Sequence, residues 1–320
     1  MAVPLIGGGQ AHDLRVKMAA ILTANGLKAI ARTYSHAPVP DGYDIVIEHD
    51  GSIRGEAQYE GIEWVQVEVK TRILTGTEDF DRIVKKLCDI CRYLGARQNT
   101  STAVHLHVEF AEVRERPEVI RSFYNLAHRF QNPIFGLVAP SRRNNRYCHA
   151  FASPPKLLHG CRQLSEFGSH LDLAGMDRYC AFNMTHLFGA GPRVEFRHHH
   201  GSLDFEKLKQ WRNLCLRLID HSIQRNCKAS PTQLPNDKAS LLRMLVTLGL
   251  KPNTRVFSKV EPELRATGRF LIRRWNRLNK IGRSSEGATP PEPSLEAEIE
   301  AQIRRDGGLP LLPLQPPRVN

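Results

Sequence analysis

The chain has 320 residues, 41% of them hydrophobic and 24% charged, a composition that excludes disorder over its whole length and allows one sizeable core or two modest ones. Its net charge of +12 and pI of about 9.6 suit anionic partners such as a nucleotide or nucleic acid. No run approaches about 18 apolar residues and no charged start precedes an apolar core, so neither a membrane-spanning helix nor a secretory signal is expected.

The positive charge is unevenly spread. Residues 251–285 hold ten Lys and Arg against two Glu, which accounts for eight of the twelve net charges. Seven cysteines are scattered along the chain. Cys88 and Cys91 form a C-x-x-C, but they lie within a helical pattern and lack a second pair, so reduced thiols in a reducing, cytoplasmic compartment are expected.

In chain order, residues 12–25 read as a helix, with Leu14, Met18, Ile21 and Leu22 on one face and Gly26 as its stop. Ile45-Val46-Ile47 reads as a strand running into a turn at Asp50-Gly51-Ser52. Trp64 to Val69 alternates as one strand, with Val65, Val67 and Val69 opposite Gln66 and Glu68. A long helix over 78–94 carries an apolar stripe through Phe80, Ile83, Val84, Leu87, Cys91 and Leu94, and Gly95 ends it.

Val104 to Phe110 alternates again, placing His105, His107 and Glu109 on the polar side. Pro117 suits the first turn of the next helix, which runs through Val119, Ile120, Phe123 and Phe130. Arg142, Arg143 and Arg146 form a basic cluster expected in a loop. Arg193 to His199 is a further strand, with Val194 and Phe196 facing one way and Glu195 and Arg197 the other. Asp204 caps a helix buried through Leu208, Trp211, Cys215, Leu218 and Ile219, and residues 239–248 make another helix. The domain organisation expected is a catalytic domain over 1–250, a basic helical extension over 251–285 and a Pro-rich disordered tail over 286–320.

These elements predict an α+β fold. Helices cover the apolar face of a largely antiparallel sheet and leave a polar, concave face open. That face would gather Glu68, His105, His107, Glu195 and Arg197. Carboxylates brought together repel unless a cation sits between them, and Mg²⁺ takes oxygen ligands along with substrate phosphates. Arg197 beside Glu195 suits a fixed positive charge for a transferring phosphoryl group. His198, His199 and His200 alternate in direction, so the three are not expected to converge on a metal. Asp50 with Glu68 and Lys70 also fits the short D…(D/E)-x-K pattern of metal-dependent nucleases, an alternative that leaves the histidine strand unexplained.

Several segments resemble one family. Arg178-Tyr179-Cys180-Ala181-Phe182-Asn183, then Val194-Glu195-Phe196-Arg197, then Gly201-Ser202-Leu203-Asp204 and Trp211 resemble the amidoligases of the glutamine synthetase and glutamate–cysteine ligase superfamily. Asp50-Gly51-Ser52, Glu68-Val69 with Gly76, and His105-Leu106-His107-Val108 match further family motifs in order, so that the likeness covers roughly residues 43–250.

The resemblance implies a glutamine synthetase-like core. It implies an ATP-dependent ligase that joins a carboxylate to an amine, small-molecule or peptide, through an acyl phosphate. ATP and Mg²⁺ are the implied cofactors. Glu68 and Glu195 would bind metal, and His105 or His107 would lie at the nucleotide or metal. Arg197 would neutralise the phosphoryl group, Arg178 and Arg142 would meet phosphate or substrate carboxylate, and Asn183 would orient them. One departure stands out. Family members begin with a strand carrying G-x-E-x-E, whereas no acid precedes Asp13 in this sequence. Either the start is truncated or the metal site has lost ligands, and the second case raises a further expectation, a protein of the same fold that binds without turnover. The 251–285 segment is expected to dock on its own domain, with nucleic acid or an acidic partner as its other possible role.

Overall fold

The computed structural model describes residues 1–5, 10–35, 37–54, 63–152, 158, 160–173, 175–224, 232–250 and 262–279. The expected Pro-rich tail, and the parts of the basic extension before 262 and after 279, lie outside the described residues. Two compact units divide the chain between Ser101 and Thr102, inside the 1–250 domain expected from sequence.

Among its described residues the first unit holds two small sheets and two helices. Strand β1 (Ala2–Pro4) pairs antiparallel with β4 (Trp64–Gln66). Strand β2 (Ala29–Ala31) runs parallel to β3 (Ile45–Glu48), which pairs antiparallel with β5 (Glu68–Thr71). Helices α1 (Ala11–Ala24) and α2 (Gly76–Tyr93) complete it. The 64–69 segment is therefore two strands in two sheets rather than one. Val67 exchanges hydrogen bonds with Met1 at 2.8 and 2.9 Å, and the next residue joins β3, so the chain changes partner at that point. A buried strand, β1, comes first, and none of its three residues is acidic.

Helix α2 ends as expected, at Gly95 with φ of +72°, a conformation that glycine adopts without steric cost. Cys88 and Cys91 are buried on its inner side, and burial pushes the Cys91 thiol up to about 12.

The second unit is built on one three-stranded antiparallel sheet in the order β6 (Ala103–Glu109), β8 (Arg193–His200), β7 (Phe182–Asn183). Helices α3 (Glu118–Phe135), α4 (Pro140–Arg143), α5 (Leu164–Leu173), α6 (Phe205–Gln224), α7 (Lys238–Thr247) and α8 (Pro262–Leu278) accompany it. The alternation in β8 sends Val194 and Phe196 into the core. There Phe123 of α3 meets Phe182 and Phe196 edge-on, at centroid distances of 6.0 and 6.2 Å. Phe196 is fully buried, and truncating such a ring to alanine typically costs about 3–5 kcal/mol. Asp204 caps α6 by accepting from Lys207 N at 3.1 Å.

The α+β layout with mostly antiparallel pairing is as expected, but the described strands form three sheets rather than one. Glu68 sits on a strand bonded to β3, while the histidine and Glu195 strands pair with each other. Within the basic segment, the described helix α8 docks on its own unit. Arg274 of α8 is buried and donates Nε to Leu137 O at 2.5 Å, Leu271 and Thr267 are buried beside α6, and Trp275 donates to Asn236 at 2.9 Å. Among the described residues no helix is long and apolar enough to cross a membrane.

Candidate active site

Three residues line up across the sheet of the second unit. His107 of β6 stands opposite Glu195 of β8, which stands opposite Asn183 of β7. One residue further along, Leu106, Phe196 and Phe182 make the equivalent apolar row toward the helices. Period-two alternation thus separates a polar row from the core.

A bulge re-aims the strand beyond this row. Val104 pairs with His199 but Leu106 pairs with Phe196, so Arg197 and His198 share the place opposite His105. His105 Nδ1 consequently comes within 3.1 Å of Glu195 Oε1. The bulge also changes the outcome for the three successive histidines. His198 enters the core against Phe135, Phe182 and Trp211, as alternation predicts. His199 and His200 instead stack at 4.6 Å, and both rings reach Arg274, at 3.3 and 3.5 Å.

Glu195 is the centre of the cluster and is 4% exposed. Its Oε1 accepts from Arg197 Nη1 at 2.5 Å, and its Oε2 accepts from Asn183 Nδ2 at 2.7 Å. His186 Nε2 lies 3.7 Å and His107 Nε2 3.9 Å away. Burial alone would raise the carboxyl's pKa. Hydrogen bonds from His105 and His186, with the charges of His105 and Arg197, outweigh burial and hold Glu195 well below the usual carboxylate range. His107 moves the other way. Burial pushes its imidazole down to about 4 against the pull of Glu195, and Arg193, His186 and His105 add to the push.

Arg197 is fixed from three sides. Besides Glu195, its Nε donates to Tyr147 O at 3.0 Å, and its guanidinium carbon lies 5.9 Å from the centroid of the Tyr179 ring. Arg178 is exposed and lies 5.0 Å from that same ring. Arg142 is buried on the short helix α4, not in a loop, and donates to the carbonyl of Arg197 at 2.7 Å. Arg143 of that helix donates to carbonyls at Gly136, Val138 and Leu278. Two members of the basic cluster are thereby spent on backbone carbonyls.

Glu68 belongs to the first unit. There it stands opposite the fully buried Glu48, and Lys70 relieves the like charges, 2.5 Å from Glu48 and 3.7 Å from Glu68. Arg32 holds the other oxygen of Glu48 at 2.5 Å. Burial would raise the Glu48 carboxyl, but hydrogen bonds from Lys70 and Arg32 bring it below the usual range. Asp50 accepts from Ser52 N and Oγ within its own turn. Lys70 of the nuclease-like pattern is therefore held by Glu48 and by the carbonyl of Ser35.

The structure brings His105, His107, Asn183, Glu195 and Arg197 together, with Arg142 behind Arg197 and Arg178 on the Tyr179 side. Sequence reasoning missed His186, Arg193 and Tyr147. His186 lies on a 3-10 turn over Thr185–Phe188, set by Asn183 Oδ1 accepting from Thr185 N and Oγ1. The Asn-x-Thr spacing was the available signal. Arg193 donates to His107 Nδ1 at 3.3 Å. Tyr147 acts through its carbonyl, which no side-chain pattern reveals.

His107, His186 and Glu195 each offer one donor atom, all within 4.8 Å of one another. Such a set fits one divalent cation. With one carboxylate and two imidazoles it suits borderline cations at least as well as Mg²⁺, which commonly adds water and substrate phosphate oxygens.

Residues 15–219 match the model of the family described as "Putative amidoligase enzyme". No curated protein and no solved structure matches the chain.

Proposed function

Because the chain belongs to the amidoligase family, a family of ligase-type enzymes, we propose that it joins a carboxylate to an amine at the expense of ATP. The observation that carries this reading is Glu195, a buried carboxylate kept ionised on a polar sheet face by Asn183, His105 and Arg197.

In the proposed reaction a substrate carboxylate oxygen takes the γ-phosphoryl group and ADP leaves. The amine then attacks the acyl carbon, the bond from that carbon to the phosphate oxygen breaks, and phosphate departs with the electron pair. The amine's proton passes to solvent. The protein's part is positioning and charge stabilisation.

With Nε on Tyr147 O and Nη1 on Glu195, Arg197 cannot swing away, and its Nη2 is the donor that a transferring phosphoryl oxygen would meet. Arg142 fixes the backbone beneath it, and Arg178 offers a positive charge at the solvent edge for phosphate or substrate carboxylate. Glu195 with His107 and His186 would hold the Mg²⁺, which when bound neutralises phosphate charge. Asn183 keeps Glu195 aimed.

The test is incubation of the full-length protein with Mg²⁺-ATP, a pool of amino acids and peptides, and a pool of amines. ADP and phosphate release should accompany a product lighter by one water than its two components. No ADP release with any pair, together with no nucleotide binding by calorimetry, overturns the proposal. Nucleotide binding without turnover would instead select a non-catalytic member of the fold. Arg269, Arg273 and Arg277 form an exposed row along α8, and we propose it as a nucleic-acid-binding face, to be tested by salt-dependent DNA binding that is lost when all three become Gln.

A further inference from the structure

A second cluster of metal-ligating side chains lies in the same unit, outside the Glu195 site. His149 and Cys180 are joined by a parallel backbone bridge, with His149 N donating to Tyr179 O at 3.0 Å and Ala181 N donating to His149 O at 2.8 Å. This bridge fixes the bases of the two side chains. Asp177, three residues before Cys180, turns back over them. Its carboxylate lies 3.1 and 3.3 Å from His149 Nε2. Cys180 Sγ lies 3.8 Å from His149 Nδ1 and 4.0 Å from the carbonyl of Gly175. One donor atom from each of the three residues lies within 4.8 Å of the other two.

We propose that His149, Asp177 and Cys180 form a binding site for a Zn²⁺-class cation, with water completing four-coordination. The donor chemistry selects the cation. A thiolate with an imidazole and one carboxylate oxygen is a borderline-soft set that suits Zn²⁺ or Co²⁺ and is poor for Mg²⁺ or Ca²⁺. Outer contacts already hold two ligands in place, since Tyr179 N donates to Asp177 Oδ1 at 2.7 Å and the carbonyl of Ala150 lies 3.1 Å from His149 Nδ1. In the tautomer that donates Nδ1–H to this carbonyl, Nε2 is free to ligate on the side where the carboxylate lies.

Access is one-sided. Cys180 is buried and forms the floor, whereas the side chains of His149 and Asp177 are 41% and 52% exposed and form an open rim. The bland account is an exposed His–Asp pair, which is worth little in stability, beside a buried core thiol. The thiolate is the form that ligates, so binding releases the thiol proton to solvent.

The site also bears on the reaction. Asp177 and Cys180 flank Arg178 and Tyr179, and the Tyr179 ring lies beside the Arg197 guanidinium. A cation held by both flanks clamps the turn that carries these two residues.

The test is a Co²⁺ titration of the full-length, chelator-stripped protein. A thiolate-to-cobalt charge-transfer absorption should saturate at one equivalent beyond any Co²⁺ taken by the Glu195 cluster, and excess Zn²⁺ should abolish it where excess Mg²⁺ does not. The Glu195 cluster contains no sulfur and cannot produce this band, so Glu195→Gln should leave it unchanged. Cys180→Ser should remove the band. Asp177→Asn and His149→Gln, both at the exposed rim, should weaken binding by at least about tenfold, and they keep the test open if Cys180→Ser does not fold. A missing band at saturation overturns the proposal. So does a band that survives Cys180→Ser, or one indifferent to both rim substitutions.

Discussion

Asn183 and Glu195 face each other across the β7–β8 pair and share a 2.7 Å hydrogen bond, Asn183 Nδ2 donating to Glu195 Oε2, while the Asn183 carbonyl oxygen holds the turn that carries His186. One fully buried amide therefore fixes both the carboxylate and one of its imidazole neighbours. Asn183→Ala should cost about 1–3 kcal/mol in urea denaturation, the usual penalty for stranding a buried polar partner. Asn183→Asp, which buries a second carboxyl beside the first, should cost more at pH 8 than at pH 5, since protonating one of the two relieves the repulsion. Equal losses at both pH values would show that the repulsion is not felt.

Arg197 is held through two separate nitrogens, so a point charge cannot replace it. Arg197→Lys should lower kcat for ADP release by about 100-fold or more, with a smaller change in KM for the amine. Glu195→Gln should do at least as much. A full-rate Arg197→Lys protein would remove Arg197 from the proposed chemistry. Glu68→Gln in the same assay decides whether the second carboxylate implied by the family resemblance takes part.

His198 sits wholly inside an aromatic box, and neither ring nitrogen has a hydrogen-bond partner among the described residues. Burial, with the nearby charge of Arg142, pushes its imidazole down to about 3. The unfolded chain therefore takes up the proton first, near pH 6.5, and the fold loses stability as pH falls from there toward 3. The slope from this one group is at most about 1.4 kcal/mol per pH unit. Phe fits the box and cannot titrate. His198→Phe should lower the acid-side slope of stability against pH by up to one proton and should gain on the parent protein at pH 5. Parallel pH profiles from urea titrations would refute this.

Much of this geometry could be read from alternation alone. The polar parity of His105, His107, Glu195 and Arg197 follows from period two, and the helices that cover Phe196 follow from their apolar stripes. Pairing partners were harder. Nothing local to residues 64–69 signals that Val67 belongs with Met1 while Glu68 belongs with Glu48, because partner choice is a long-range property. Short strands such as Ala2–Pro4 and Phe182–Asn183 carry too few residues to show a period at all. The bulge in β8 left no mark in composition, and so the pairing of His199 and His200 on Arg274 was unreadable.

Glu48 gives the first unit its own test. It is fully buried between Arg32 and Lys70, which remain 20% and 26% exposed. Glu48→Ala leaves two cations facing each other with only Glu68 beside Lys70, and should cost about 3 kcal/mol, at the low end for a broken buried pair because both cations can still reach water. A change in Cm equivalent to less than about 1 kcal/mol would show that the cations rearrange freely.

The extra residue in β8 divides one strand between two duties. On one side of it the side chains surround Glu195, and on the other they fasten α8 through Arg274. Descendants of this chain could revise or loosen that fastening without re-aiming the carboxylate, and could retune the carboxylate's neighbours without releasing the helix. The bulge acts as a joint across which two traits can be inherited and altered separately.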